Sequence, residues 1–158
     1  MAGYKGHLAG ATLFVLGYIA LLGYAFSVDA AYEQFSVLEQ VGYPLSLVAL
    51  ALLFGLWPDV DTDSKGQRVF YSIFLVTDLF LIGTEQFRAA AYLGLVALLP
   101  VLSRHRGWTH TWWAMLLIPS PLLLLPYLHV PDRPLIGLPF YGAAVTGYLS
   151  HLVVDWIT

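Results

Sequence analysis

The last apolar segment of the chain carries a histidine and an aspartate whose spacing suits metal binding. His151 and Asp155 are four residues apart, so on a helix the two side chains point from the same face. Imidazole and carboxylate groups, in the absence of sulfur, favour Zn, Mn or Fe. The pair indicates a metal site, and for this pair alone a buried hydrogen-bonded pair is the alternative.

Three further polar clusters interrupt the apolar chain. His7 lies near its beginning, and "PDVDTD", from Pro58 to Asp63, holds three alternating aspartates. An extended or turning backbone would aim the first and third of them together, and for this stretch alone a solvated turn is the alternative. "HRGWTH", from His105 to His110, brackets a glycine that permits a tight turn. The candidate metal ligands are therefore His7, Asp59, Asp61, His105, His110, His151 and Asp155.

These candidates exceed the four ligands of one tetrahedral zinc ion. They are enough for two ions that share a carboxylate, as in two-metal hydrolytic sites. We expect one or two divalent ions, with zinc preferred and manganese, iron or magnesium as alternatives. Arg106, next to a candidate ligand, is expected to pair with a phosphate oxygen, and Asp61 or Asp63 to take a proton from water. Thr109 and Ser150 each adjoin a ligand, so we expect them to orient ligands rather than act as nucleophiles.

The composition places these groups in a membrane protein. Of the 158 residues, 59% are hydrophobic and only 11% are charged, whereas soluble domains have about 25% charged residues. The absence of cysteine excludes disulfides and thiolate metal sites. A formal net charge of −3 without a basic run argues against a nucleic-acid partner.

Six apolar segments are expected to position the clusters, at roughly residues 7–26, 42–57, 69–84, 89–103, 111–129 and 138–157. A spanning helix needs about 20 apolar residues. The first, fifth and sixth segments meet this length, and the middle three are short, with the third and fourth forming a tight hairpin. Pro119, Pro121 and Pro126 should kink the fifth segment, and Gly10 and Gly17 should allow close helix packing. The expected fold is all-α, a polytopic membrane helical bundle forming a single domain over residues 1–158.

The positive charges predict the orientation of this bundle. With the N-terminus inside, the expected cytoplasmic charges are Lys5, Lys65, Arg68, Arg104 and Arg106. Only Arg88 and Arg133 then lie outside, so the positive-inside rule favours cytoplasmic N- and C-termini. All four polar clusters then lie at the cytoplasmic face.

Asp78 stands apart from these clusters, near the middle of the third segment. An intramembrane carboxylate is costly and by default indicates function. The alternative is that Thr77 or a neighbouring helix satisfies it.

The motifs resemble one known family. "GHLAGA", "LWPDVD", "HRGWTH" and "GYLSHLVVDWIT" are similar in order and spacing to the YdjM-like family, described as LexA-binding, inner-membrane-associated, metal-dependent hydrolases. The resemblance covers nearly the whole chain. It carries to His7, Asp59, Asp61, His105, Arg106, Gly107, Thr109, His110, Ser150, His151, Asp155 and Thr158. Relatives often have a histidine after the second aspartate, where this chain has Thr62 and Asp63.

These observations favour a membrane-embedded, metal-dependent hydrolase at the cytoplasmic face of the inner membrane. Its expected substrate is a lipid or lipid-like phosphoester, such as a phospholipid or an isoprenoid phosphate. A transporter or ion-handling protein is one alternative, because of the intramembrane aspartate. A non-catalytic scaffold, in which a metal only ties helices together, is the other. The sequence leaves the oligomeric state open.

Overall fold

The computed structural model describes residues 3–27, 37–60, 65–99, 107–129 and 135–157. Within these ranges the chain is helical and contains no strand, which confirms the expected all-α bundle. Two short 3₁₀ turns, Trp57–Asp59 and Trp108–His110, accompany the α-helices. The α-helices are α1 Tyr4–Ser27, α2 Val37–Leu56, α3 Lys65–Gly83, α4 Phe87–Leu98, α5 Trp112–Leu117, α6 Pro121–His129 and α7 Leu138–Ile157.

Three of the described helical stretches are long and apolar enough to cross a bilayer. They are Tyr4–Tyr24, Val41–Asp59 and Lys65–Gly83. The prediction that the second and third segments are short was wrong, because both helices continue through polar residues beyond the apolar run that marked them. The sixth segment forms the 20-residue helix α7, but polar residues within it keep it out of this group.

The fifth segment divides into two short helices. α5 ends at Leu117, and α6 begins at Pro121. Proline is tolerated in the first turn of a helix because the amide hydrogen it lacks would have no partner there. The expected kink is therefore a break, and the fifth segment does not form the single spanning helix that its length suggested.

The third and fourth segments form the expected helical hairpin. Glu85 has φ 61°, and around it Gln86 N–H donates to Leu81 O at 2.8 Å while Glu85 N–H donates to Ile82 O at 3.0 Å. This pair of hydrogen bonds is the Schellman arrangement, which satisfies the last carbonyls of a helix through one left-handed residue. It reverses the chain between α3 and α4.

Helices α1, α2 and α7 pack against each other at the centre of the bundle, and glycines permit the close approach. A Cβ on Gly147 of α7 would collide with the carbonyl of Ala51 on α2, and one on Gly55 would lie 2.8 Å from Ala11 Cβ on α1. A Cβ on Gly10 of α1 would likewise lie 2.9 Å from Val154 Cγ2 on α7. Among the described residues, nothing lies within 4 Å of a Cβ placed on Gly17, so the prediction of close packing there was wrong.

Large apolar side chains cover the outer surfaces of the long helices. Leu13 and Leu21 on α1 are 70% and 65% exposed, and Val76 and Phe80 on α3 are 69% and 65% exposed. A soluble monomer rarely exposes such extended apolar surface. These faces suit contact with lipid chains.

Candidate metal centre

Four separate stretches of the chain bring their polar residues to one end of the bundle. His7 lies in the first turns of α1, and Asp59 ends the 3₁₀ turn that follows α2. His110 ends the second 3₁₀ turn, and His151 and Asp155 lie one turn apart on α7. A set of potential donor atoms from Asp59, His110, His151 and Asp155 lies within 4.8 Å of one another, which is close enough to hold a metal ion.

A backbone hydrogen bond fixes the ring of His151. Its Nδ1 lies 2.8 Å from the carbonyl oxygen of Gly55, so Nδ1 carries the proton and donates it. That carbonyl belongs to the last turn of α2, where carbonyls have no partner within the helix. The lone pair of Nε2 is therefore directed into the cluster, which is the usual arrangement of a metal-binding histidine.

One oxygen of each carboxylate faces His110 and His151. Asp59 Oδ1 lies 3.3 Å from His110 Nε2 and 3.6 Å from His151 Nε2. Asp155 Oδ2 lies 3.7 Å from His110 Nε2 and 3.5 Å from His151 Nε2. Two nitrogens and two oxygens thus surround a common point.

The second oxygen of each carboxylate faces His7. The Nε2 atom of His7 lies 3.5 Å from Asp59 Oδ2 and 3.5 Å from Asp155 Oδ1. Its ring stacks on that of His151, with centroids 4.0 Å apart and an interplanar angle of 17°. Each aspartate therefore presents one oxygen to His7 and the other to His110 and His151.

These separations fit the ligands of a metal ion. Zinc bonds of about 2.0–2.1 Å in a tetrahedron place neighbouring donor atoms about 3.3 Å apart, and the Nε2 atoms of His110 and His151 are 3.4 Å apart. The buried Oδ1 atom of Asp155 accepts no hydrogen bond from the described residues. A buried carboxylate oxygen without a donor is costly, and a bound cation would remove that cost.

The cluster is buried on the bundle side and partly open on the other. His7 and His151 are 1% and 0% exposed, whereas the side chains of Asp59 and Asp155 are 24% and 15% exposed. Water would therefore approach the cluster from the aspartate side.

The residues expected to orient the ligands are both buried. Thr109 Oγ1 lies 3.2 Å from His110 Nδ1. Ser150 donates to the carbonyl of Gly147 in its own helix, at 2.7 Å. The sequence reasoning missed Tyr148, whose hydroxyl donates to the carbonyl of Thr109 and so ties α7 to the turn that carries His110. Its position three residues before His151 places it near the same face of α7.

Several predicted site residues fall outside the part of the chain that the structure describes. They are Asp61, Asp63, His105 and Arg106. Asp78 is described, and its Oδ1 atom is buried without a hydrogen-bond partner among the described residues. The hydroxyl of Thr77 donates instead to Ile73 O at 2.9 Å.

Apolar helices of spanning length, with imidazoles and carboxylates gathered at one end, define a helical membrane protein with a candidate metal centre. Comparison of the sequence with known families gives a match over residues 1–158, the whole chain, to the family described as YdjM inner membrane protein. The chain belongs to this family, as its motifs indicated. No individual curated protein and no solved structure matches it.

Proposed function

We propose that this protein is a membrane-embedded, metal-dependent hydrolase that cleaves a phosphoester of a lipid-like substrate at the cytoplasmic face. The observation that carries the proposal is the convergence of His7, Asp59, His110, His151 and Asp155 from four separate stretches of chain. Nothing in helix packing requires such a convergence. It is the donor set expected of a metal centre without sulfur.

The division of the carboxylate oxygens supports two ions rather than one. His110 and His151, with Asp59 Oδ1 and Asp155 Oδ2, offer four donors to a first ion. His7, with the opposite oxygens of the same aspartates, offers three donors to a second. Catalytic zinc sites typically have three protein ligands and an open position. A divalent ion bound there supplies hydroxide at neutral pH by acidifying water.

The remaining roles rest on the sequence. Arg106 follows a candidate ligand, and its guanidinium would pair with two oxygens of a phosphate as negative charge builds. Asp61 or Asp63 follows Asp59 closely and would accept the proton released from water. Zinc is the preferred ion, because nitrogen and oxygen donors in a compact set suit it.

The cytoplasmic location rests on charge. Lys5 lies in the same turn region as His7, and Lys65 begins α3 soon after Asp59, with both lysines exposed. Positive charges flanking membrane helices favour the cytoplasmic side. The metal centre would then face the cytoplasm.

Metal content is the first test. Purified protein should contain bound zinc or another divalent metal by elemental analysis, and Asp59→Ala and His151→Ala should each lose most of it because each removes a donor. Asp78→Asn, which changes a buried aspartate outside the cluster, is the matched control and should retain the metal. Wild-type metal content in both cluster variants would refute the proposal.

Turnover is the second test. Release of phosphate from a phosphatidate and from a polyprenyl phosphate should be measured in proteoliposomes. Arg106→Ala should keep its metal but lose about 100-fold or more in turnover, the usual effect of removing one transition-state donor. Arg88→Ala, in the hairpin turn region, is the control. Bound metal without hydrolysis of any phosphoester would instead support the scaffold alternative.

Asp78 favours one alternative function, ion transport. Its Oδ1 atom is buried in a helix of spanning length and accepts no hydrogen bond from the described residues, and such carboxylates often mark ion pathways. A transporter would show cation or proton flux into liposomes that Asp78→Asn abolishes, without product formation. Absence of flux in the wild-type protein would exclude this alternative.

A further inference from the structure

An apolar cavity of about 280 Å³ lies between α2, α3, α4 and the broken fifth segment. Its wall includes Phe54, Phe74, Leu93 and Leu122, and the polar atoms of two further lining residues are already engaged. The indole N–H of Trp57 donates to the carbonyl of Val96 at 3.0 Å, and the Thr77 hydroxyl donates to a carbonyl of its own helix. The surface that the cavity offers to an occupant is therefore almost entirely hydrocarbon.

The cavity is long and runs along the helices. On α3 its wall extends from Phe70 to Leu81, which corresponds to about 16 Å at the rise of an α-helix. On α2 and the 3₁₀ turn that follows it, the wall extends from Leu50 to Trp57. Its length is therefore parallel to helices that span the bilayer, and so to the lipid chains around them.

The two ends of the cavity differ in burial. At one end Trp57, Phe70 and Ala97 are 1%, 4% and 2% exposed. At the other end Ala89 and Tyr92 are exposed, on a surface that faces lipid in a membrane. The cavity is therefore open to the bilayer at this end.

The buried end lies beside the metal centre. Trp57 begins the 3₁₀ turn that ends at Asp59. Its ring also contacts that of Tyr148 at 5.7 Å, and Tyr148 donates to the carbonyl of Thr109, which precedes His110. Trp57, in the wall of the cavity, thus lies in the same turn as Asp59 and is linked through Tyr148 to the turn that carries His110.

We propose that this apolar cavity is a groove that binds one hydrocarbon chain of the lipid whose head group reaches the metal centre. The occupant is a lipid chain because the wall is apolar, its open end meets the bilayer, and its axis follows the chains there. The inference rests on the proposed function and narrows the substrate class to lipids with at least one long hydrocarbon chain. It also assigns Trp57 to the position where chain and head group meet.

Chain binding is tested without catalysis by photolabelling. Protein in liposomes containing a phospholipid with a diazirine near the end of one acyl chain is irradiated, and labelled residues are located by mass spectrometry. Label is expected on groove residues distant from Trp57, such as Thr77 and Leu93, as well as on lipid-facing residues such as Phe80. Label confined to the outer surfaces would overturn the proposal, whether the groove is empty or filled by another part of the chain or a second copy.

The second test fills the open end of the groove with a larger side chain. Ala89→Phe places a ring at the open end, and Ala91→Phe places the same ring on an exposed position of α4 that does not line the groove. We expect Ala89→Phe to reduce label inside the groove at least fivefold and to shift hydrolysis toward substrates with shorter chains, with Ala91→Phe unchanged. Equal chain-length profiles in the two variants would overturn the proposal.

The outcomes separate this inference from the function it rests on. Label inside the groove without phosphoester hydrolysis by the wild-type protein would retain the chain site and reject the hydrolase. Hydrolysis without label inside the groove would retain the hydrolase and reject the chain site. Metal content of Ala89→Phe should equal that of the wild type, which shows that the substitution leaves the metal centre intact.

Discussion

At the scale of single residues, the two aspartates of the cluster have the most consequential geometry. Each directs one oxygen to His110 and His151 and the other to His7. A carboxylate whose two oxygens face different histidines can bind two cations, one through each oxygen. The role of His7 can therefore be tested separately from that of the other histidines.

We predict that His7→Phe lowers the metal content from about two ions per chain to about one. Phenylalanine keeps a ring that can stack on His151 but removes the Nε2 donor, so the four donors of the first ion remain. Lys5→Ala, on an exposed residue of the same region, should keep both ions. Elemental analysis of the purified variants measures the difference, and a His7→Phe protein with unchanged metal content would contradict the two-ion assignment.

At the scale of helices, the register between α2 and α7 decides whether the cluster forms. Gly147 lies against the carbonyl of Ala51, and Gly55 both lies against Ala11 and accepts the hydrogen bond from His151. The same close contact that packs the helices therefore orients a candidate ligand. A change in this contact should affect stability and metal binding together.

Gly147→Ala is expected to lower the free energy of unfolding by about 1–3 kcal/mol, the usual cost of overpacking, and to lower metal content. Its Cβ would meet backbone atoms of α2, which cannot move aside as a flexible side chain can. Gly17→Ala is the matched control, because no residue in the described part of the chain lies within 4 Å of the Cβ that this substitution adds. That variant should be neutral or more stable by up to about 1 kcal/mol, as alanine favours helices.

Unfolding of both glycine variants can be followed in detergent by circular dichroism during denaturant titration. Equal stability of Gly147→Ala and Gly17→Ala would contradict the close packing of α2 on α7.

At the scale of the whole molecule, the cluster brings together residues from near both ends of the described chain. His7 in α1 and Asp155 in α7 are 3.5 Å apart at their closest atoms, so the beginning of α1 and the end of α7 lie at the same end of the bundle. The exposed apolar faces of α1 and α3 give this bundle a lipid-facing surface. A membrane topology with both of those ends on one side follows.

Reporter fusions test this topology. An activity-based reporter placed before α1 and one placed after α7 should both give cytoplasmic signals, as the positive-inside rule predicts. Opposite signals from the two fusions would contradict the common end of α1 and α7. Two periplasmic signals would preserve the common end and overturn only the proposed cytoplasmic location.

Part of the site was predictable because its signals are local. The spacing of His151 and Asp155 puts them on one helical face. Pro119 and Pro121 disfavour the continuation of the helix that precedes them. Helix length was less predictable. Helix α3 begins at Lys65, and its first residues are polar, so a search for apolar runs does not include them. Tyr148 gave no signal of its own, since its partner is a backbone carbonyl 39 residues away along the chain.

The sequence by itself indicated that this protein is a membrane bundle and that seven residues are candidate ligands: His7, Asp59, Asp61, His105, His110, His151 and Asp155. These conclusions depend on composition and on spacing within single helices or turns, which neighbouring residues control. Only the tertiary structure decided which carboxylate oxygen faces which histidine, and that an apolar groove ends at Trp57 beside the cluster. Both features arise where segments distant in the chain pack together, so their geometry depends on side-chain packing between helices rather than on any local pattern.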